Sequence, residues 1–146
     1  MKIAFTVFNV FSFIYIIVDY RAWIFLIVSE LAAHLRSIGH RVETPSEKEL
    51  KVLHDLLPVY LHVEVEGNIV YMAIKHTEDL RATLEELHES GENVEEIVEE
   101  ALGYLSIVSL RVRSWVEKKG YIPIFKLREG NIKVYEILEE LGEDIE

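Results

Sequence analysis

Val94, Val98, Ala101, Leu105, Val108, Val112 and Trp115 follow one another at gaps of 4, 3, 4, 3, 4 and 3. A strand cannot put that spacing on one face, whereas an α-helix gathers all seven residues into one stripe. Asn93, with Glu96 three residues on, supplies an N-terminal capping box, and Gly120 supplies a stop. The spacing predicts one helix over 94–118, about 37 Å long at 1.5 Å per residue. So long an aliphatic stripe must be buried, against a sheet or against a second copy of the chain.

The sheet is readable nearby. Val59, Leu61, Val63 and Val65 alternate with Tyr60, His62, Glu64 and Glu66, the pattern of a half-exposed strand. Gly67-Asn68 suits a two-residue hairpin turn into the strand that follows. A second hairpin is predicted around Gly130-Asn131, with Pro123 placing its first strand at a sheet edge. Both turns carry Glu-Gly-Asn-Ile, at 66–69 and 129–132, which hints at a repeated helix-plus-hairpin unit.

Further helices are predicted over 22–38, closed by Gly39, and over 77–90, capped by Thr77. Another is expected from Ser46 to Leu57. There Ser46 and Glu49 have capping-box spacing, Leu50, Leu53, Leu56 and Leu57 mark one face, and Pro58 ends the run. The expected fold is a single α+β domain over 1–146, its helices packed on an antiparallel sheet built from two β-hairpins, with the long helix at 94–118. Should the chain divide, it does so into 1–76 and 77–146.

Residues 3–18 are almost wholly apolar, and a second apolar run extends to Val28. A membrane span needs about 20 such residues. The first run has 16 and holds Thr6, Asn9 and Ser12. Aromatic and β-branched residues dominate it, so a buried strand followed by a buried helix is expected, with membrane contact by residues 3–28 as the alternative.

Cysteine and glutamine are absent, and Glu, Lys and aliphatic residues abound. Disulfides and thiolate zinc sites are thereby excluded, and the composition fits a cytoplasmic protein of a thermophile. Net charge is −11, unevenly spread: residues 77–105 carry net −9, whereas 106–137 carry net +4. The overall field repels a phosphate backbone, and only the latter stretch is locally basic. None of the six histidines forms a His-Glu-x-x-His pattern. His62 and Glu64 share a strand face near His76, so a His/carboxylate metal site is the alternative to simple exposed histidines. The expectation is no metal, no cofactor and no catalytic residue.

Residues 94–137 resemble a winged-helix DNA-binding domain. VEEIVEEALGY, a turn at Leu105-Ser106, VSLRVRSWVEKKG and YIPIFKLREGNIKVYEI would be its helix, turn, recognition helix and wing. The resemblance implies a small non-enzymatic regulatory protein binding duplex DNA. Arg111, Arg113 and Lys118 would lie on the groove-facing helix, and Lys126, Arg128 and Lys133 in the wing. The unbroken stripe through 103–108 departs from that pattern, since a helix-turn-helix should shift its phase.

Two alternatives accompany it. One is a homodimeric scaffold or interaction module using the 94–118 helix. In the other, MKIAF with ELAAHLRSIGHRVE resembles the opening strand and helix of sugar-nucleotide glycosyltransferases. That implies an α/β enzyme with a nucleotide-sugar or phosphate ligand near the first strand. The chain departs from it in having no glycine before Gly39.

Overall fold

The computed structural model describes the backbone of residues 10–145 and the side chains of residues 22–142. The class is α+β. Among the described residues, four helices, α1 (Val10–Ser37), α2 (Leu80–Glu89), α3 (Val94–Lys118) and α4 (Leu127–Ile145), accompany five strands: β1 (Arg41–Ser46), β2 (Glu49–Leu53), β3 (Val59–Glu66), β4 (Ile69–His76) and β5 (Ile122–Lys126). The strands form one sheet in the order β1-β2-β3-β4-β5. The first four make an antiparallel meander, and β5 joins β4 in parallel. A parallel neighbour needs a crossover of a dozen or more residues; α2 and α3 provide it.

Alternation decides the layers. Leu50 and Val52 of β2, Val59, Leu61, Val63 and Val65 of β3, and Val70, Met72 and Ile74 of β4 point to one face and are buried. Across that face α1 packs on β1 and β2, while α3 packs on β3, β4 and β5. The long stripe of α3 is consumed here: Val98, Ala101, Leu105, Val108, Val112 and Val116 are each 0% exposed. Burying one such side chain is worth about 1.5–3 kcal/mol, so the stripe anchors the helix to its own sheet. Asn93 caps α3 as expected, its side chain accepting from the backbone N–H of Glu96.

Four expectations need correction. Residues 10–18 belong to α1 and not to a strand, and residues 3–9 lie outside the described residues. Residues 49–53 form β2 and not a helix, because Leu50 and Val52 alternate into the core between β1 and β3. Ser46 and Glu49 face each other across the turn, Ser46 Oγ donating to Glu49 Oε2 at 2.8 Å. Residues 127–137 form no hairpin partner for β5 but the first turns of α4, with Val134 and Leu141 buried. α3 runs unbroken through Ser106, as the spacing of its apolar stripe predicts and against the turn at Leu105-Ser106 that the resemblance implied. Residues 94–137 thus supply neither the turn between two helices nor the two-stranded wing that the winged-helix resemblance implied. No helix among the described residues is long and apolar enough to cross a membrane.

Candidate ligand site on the open face of the sheet

The other face of the sheet carries the alternate residues. Register lines them up in rows: Lys51, His62, Ala73 and Lys126 in one, Glu49, Glu64, Tyr71 and Ile124 in the next, and Leu53, Tyr60 and Lys75 on the opposite side. Two adjoining cavities of about 330 and 440 Å³ lie on this face and share Ala73, Lys75 and Lys126. The first also takes in Tyr60, His76, Glu129, Gly130 and Lys133; the second takes in His62, Glu64, Glu66 and Tyr71. The methyl of Ala73 keeps the floor low between them.

α4 walls one end. The β5 ladder stops opposite Ala73, and the first turn of α4 comes alongside β4 at Ile74. A Cβ at Gly130 would lie 2.0 Å from the Ile74 carbonyl oxygen, so only glycine permits this approach. That contact brings Lys133 beside Lys75 and Lys126. Two lysines rest on tyrosine rings: Lys51 Nζ is 4.6 Å from the centroid of Tyr60, and Lys126 Nζ is 5.1 Å from that of Tyr71.

Charge is sorted along the strands. Lys75, Lys126 and Lys133 gather near the C-terminal end of β4. Two residues along β3 from the row of Lys126, roughly 7 Å away, Glu64 joins Glu49 and Glu66 in an acidic end. Glu49 Oε1 is 3.0 Å from His62 Nε2, and Lys48 Nζ is 3.9 Å from both Glu64 and Glu66. The Ser46 hydroxyl, then His62, hold the Glu49 carboxyl below its usual range, against a smaller opposing effect of burial.

The six cations anticipated from the sequence divide. Lys126 and Lys133 line the groove. Arg128 is exposed on the first turn of α4. Arg111, Arg113 and Lys118 belong to α3, on the far side of the sheet. Arg113 Nε donates to Glu117 at 3.3 Å, and the pair lines a shallow depression with Lys118. Sequence reasoning missed Lys75, Tyr60 and Tyr71, although the alternation of β3 already put Tyr60 and His62 on one face.

Arg111 has a different task. Its Nη1 donates to His40 Nε2 at 2.7 Å, and His40 is 7% exposed. A guanidinium only donates, so Nε2 accepts and the ring proton sits on Nδ1. That places an N–H donor 2.5 Å from the Tyr104 hydroxyl. Burial, then the charges of Arg111 and His34, lower the His40 pKa from 6.5. His54 packs on the same tyrosine ring, with Nδ1 accepting from the backbone N–H groups of Leu56 and Leu57. Burial lowers its pKa too, against the carboxylates of Glu100 and Asp55, and burial raises that of Tyr104. The cluster is a hydrogen-bonded clasp between the end of α1, the β2–β3 loop and α3, with the Arg111 guanidinium as its one cation.

Comparison with protein families, characterised proteins and solved structures finds no match for this chain, so function is read from the residues alone.

Proposed function

We propose that this is a small regulatory protein that binds single-stranded nucleic acid across the open face of its sheet. The observation that carries the reading is the convergence of Lys75, Lys126 and Lys133 with Tyr60 and Tyr71 around Ala73. Cations that follow a phosphate backbone, interleaved with aromatic rings on which bases stack, are what a single-strand groove requires. A shallow sheet face suits splayed bases. A duplex major groove asks for a protruding helix or ribbon, and the α3 cations that would have served it stand apart from this groove.

Fluorescence anisotropy with a labelled oligonucleotide tests the reading. Three phosphate contacts give a slope of log K against log[salt] of roughly −2 for a single strand. Lys126→Glu with Lys133→Glu should weaken binding at least tenfold, while Arg113→Glu with Lys118→Glu leaves it unchanged. Equal loss from both pairs, or no binding at low salt, refutes it. Duplex of the same sequence should compete poorly.

A second reading has its own support. Ile107 and Leu110 are 55% and 53% exposed on the outer side of α3, where Gly103 and Ser114 extend the same strip. This strip, and not the stripe already buried in the core, is what a homodimer would use. Sedimentation of the wild type against Ile107→Glu with Leu110→Glu decides it, a monomer in both cases counting against.

A further inference from the structure

Glu49, His62 and Glu64 each offer one ligand atom, and these atoms all lie within 4.8 Å of one another. They come from neighbouring strands with fixed register: Glu49 and Glu64 are opposite each other, and His62 lies two residues before Glu64 on the same face. We infer that this trio is a binding site for a divalent first-row transition ion such as Zn²⁺ or Mn²⁺. An imidazole nitrogen beside two carboxylates favours such ions over Mg²⁺ or Ca²⁺, which prefer all-oxygen sites.

The geometry is close to what an ion needs. Donor–metal distances of about 2.1 Å set neighbouring ligand atoms roughly 3–3.5 Å apart, and His62 Nε2 already stands 3.0 Å from Glu49 Oε1. Ser46 holds the other oxygen, Oε2, at 2.8 Å and so turns Oε1 toward the histidine. A hydrogen-bonded group behind a ligand fixes its orientation in this way. The side chains are partly desolvated, at 13% exposure for His62, 28% for Glu49 and 26% for Glu64. Lys48, 3.9 Å from Glu64, is the cation that an ion would displace. Three protein ligands leave coordination positions open toward the groove.

The role of the ion rests on the reading of that groove as a phosphate site. The acidic end adjoins the lysines across the row of Ala73. An ion held there would cancel the repulsion of Glu64 and offer a second anchor to a phosphate already on Lys126.

Isothermal titration of Zn²⁺ and Mn²⁺ into the metal-free full chain tests the site. One saturable ion per chain is expected. His62→Ala and Glu64→Gln should each weaken it at least tenfold, whereas His76→Ala leaves it intact. Glu64→Gln keeps the side-chain shape, and its unfolding temperature without metal should match the wild type. Zn²⁺ should raise that temperature in the wild type and not in either variant. Absence of a saturable one-to-one event, or binding unchanged in His62→Ala, overturns the inference. Lys126→Glu with Lys133→Glu should lose oligonucleotide and keep the ion, so failure of the groove reading is visible separately. Given both, Zn²⁺ should strengthen oligonucleotide binding severalfold in the wild type and not in His62→Ala.

Discussion

Replacing Gly130 by alanine tests how α4 meets the sheet. In most helices this change is favourable, since alanine gains about 1 kcal/mol over glycine in a helix interior. Here the new Cβ would sit 2.0 Å from the carbonyl oxygen of Ile74, 2.7 Å from its carbonyl carbon and 2.8 Å from its Cβ. Ordinary contact begins at 3.4 Å, so the helix must retreat by about 1.4 Å. Ile74, Val134 and Leu141 are buried and would lose contact with their surroundings. Overpacking against side chains costs typically 1–3 kcal/mol. The obstacle here is backbone that cannot rotate away, which points to the upper end of that range. Net of the helix gain, Gly130→Ala should destabilise by about 2 kcal/mol.

Gly103 is the control: it lies within α3, a Cβ added there would meet nothing within 4 Å, and its φ is not left-handed. Gly103→Ala should therefore stabilise by roughly 0.5–1 kcal/mol. Urea unfolding followed by circular dichroism reads both, and the opposite signs are the test. Gly130→Asn separates this geometry from a hairpin turn at the same glycine. Asparagine tolerates a left-handed turn better than alanine does, yet it is bulkier against Ile74. It should be the worse of the two substitutions. Stabilisation by Gly130→Ala, or a milder effect from asparagine, would refute the packing of α4 on β4.

Two further expectations concern the clasp on the helical side. His40 and His54 both have lowered pKa values in the fold, so the unfolded chain binds the protons more readily. Their stabilisation is therefore present above the unfolded value near 6.5 and is lost as pH falls through and below it. Urea midpoints should drop between neutral pH and pH 5, and replacing both histidines by glutamine should flatten that slope. Arg111→Met leaves His40 Nε2 without its donor, at a cost of about 1–3 kcal/mol. It should also move the His40 titration, followed by NMR of the ring protons, upward toward the ordinary value, and leave oligonucleotide affinity untouched.

The tetrapeptide Glu-Gly-Asn-Ile shows where the sequence stops being legible. At 66–69 its glycine has φ 59° and turns β3 into β4. At 129–132 the same four residues lie inside α4, with the glycine free of any left-handed φ. What differs is the continuation. Val70, Met72 and Ile74 alternate into a core, whereas Val134, Ile137 and Leu141 recur at helical spacing. The repeated turn signal hides that spacing. The same confusion suggests a helix over 46–57, where leucines at helical intervals mask the alternation of Leu50 and Val52. α3 is legible because its stripe is buried from Val98 to Val112 and half-buried at Val94 and Trp115, leaving one solution. The groove is half legible. Lys126 and Lys133 stand in the basic stretch. Lys75 joins them only through the parallel pairing of β4 with β5, a contact across the whole α2–α3 crossover that no local pattern encodes.

That pairing also reconciles a strongly acidic chain with an anion-binding face. Residues 77–105 hold net −9, and they form α2 and the first half of α3, away from the open face. A Debye length of about 8 Å at physiological salt screens much of that charge from a ligand in the groove. Closer in, Glu49, Glu64 and Glu66 are confined to one end, where Glu64 and Glu66 pair with Lys48 rather than the groove lysines and Glu49 meets His62. The face is therefore polarised rather than neutral. Its cationic end is set by where β5 stops and α4 begins, and its acidic end by the register of β2 on β3. A ligand that brings both an anion and a cation meets complementary charge at each end, which a uniformly basic patch would not provide.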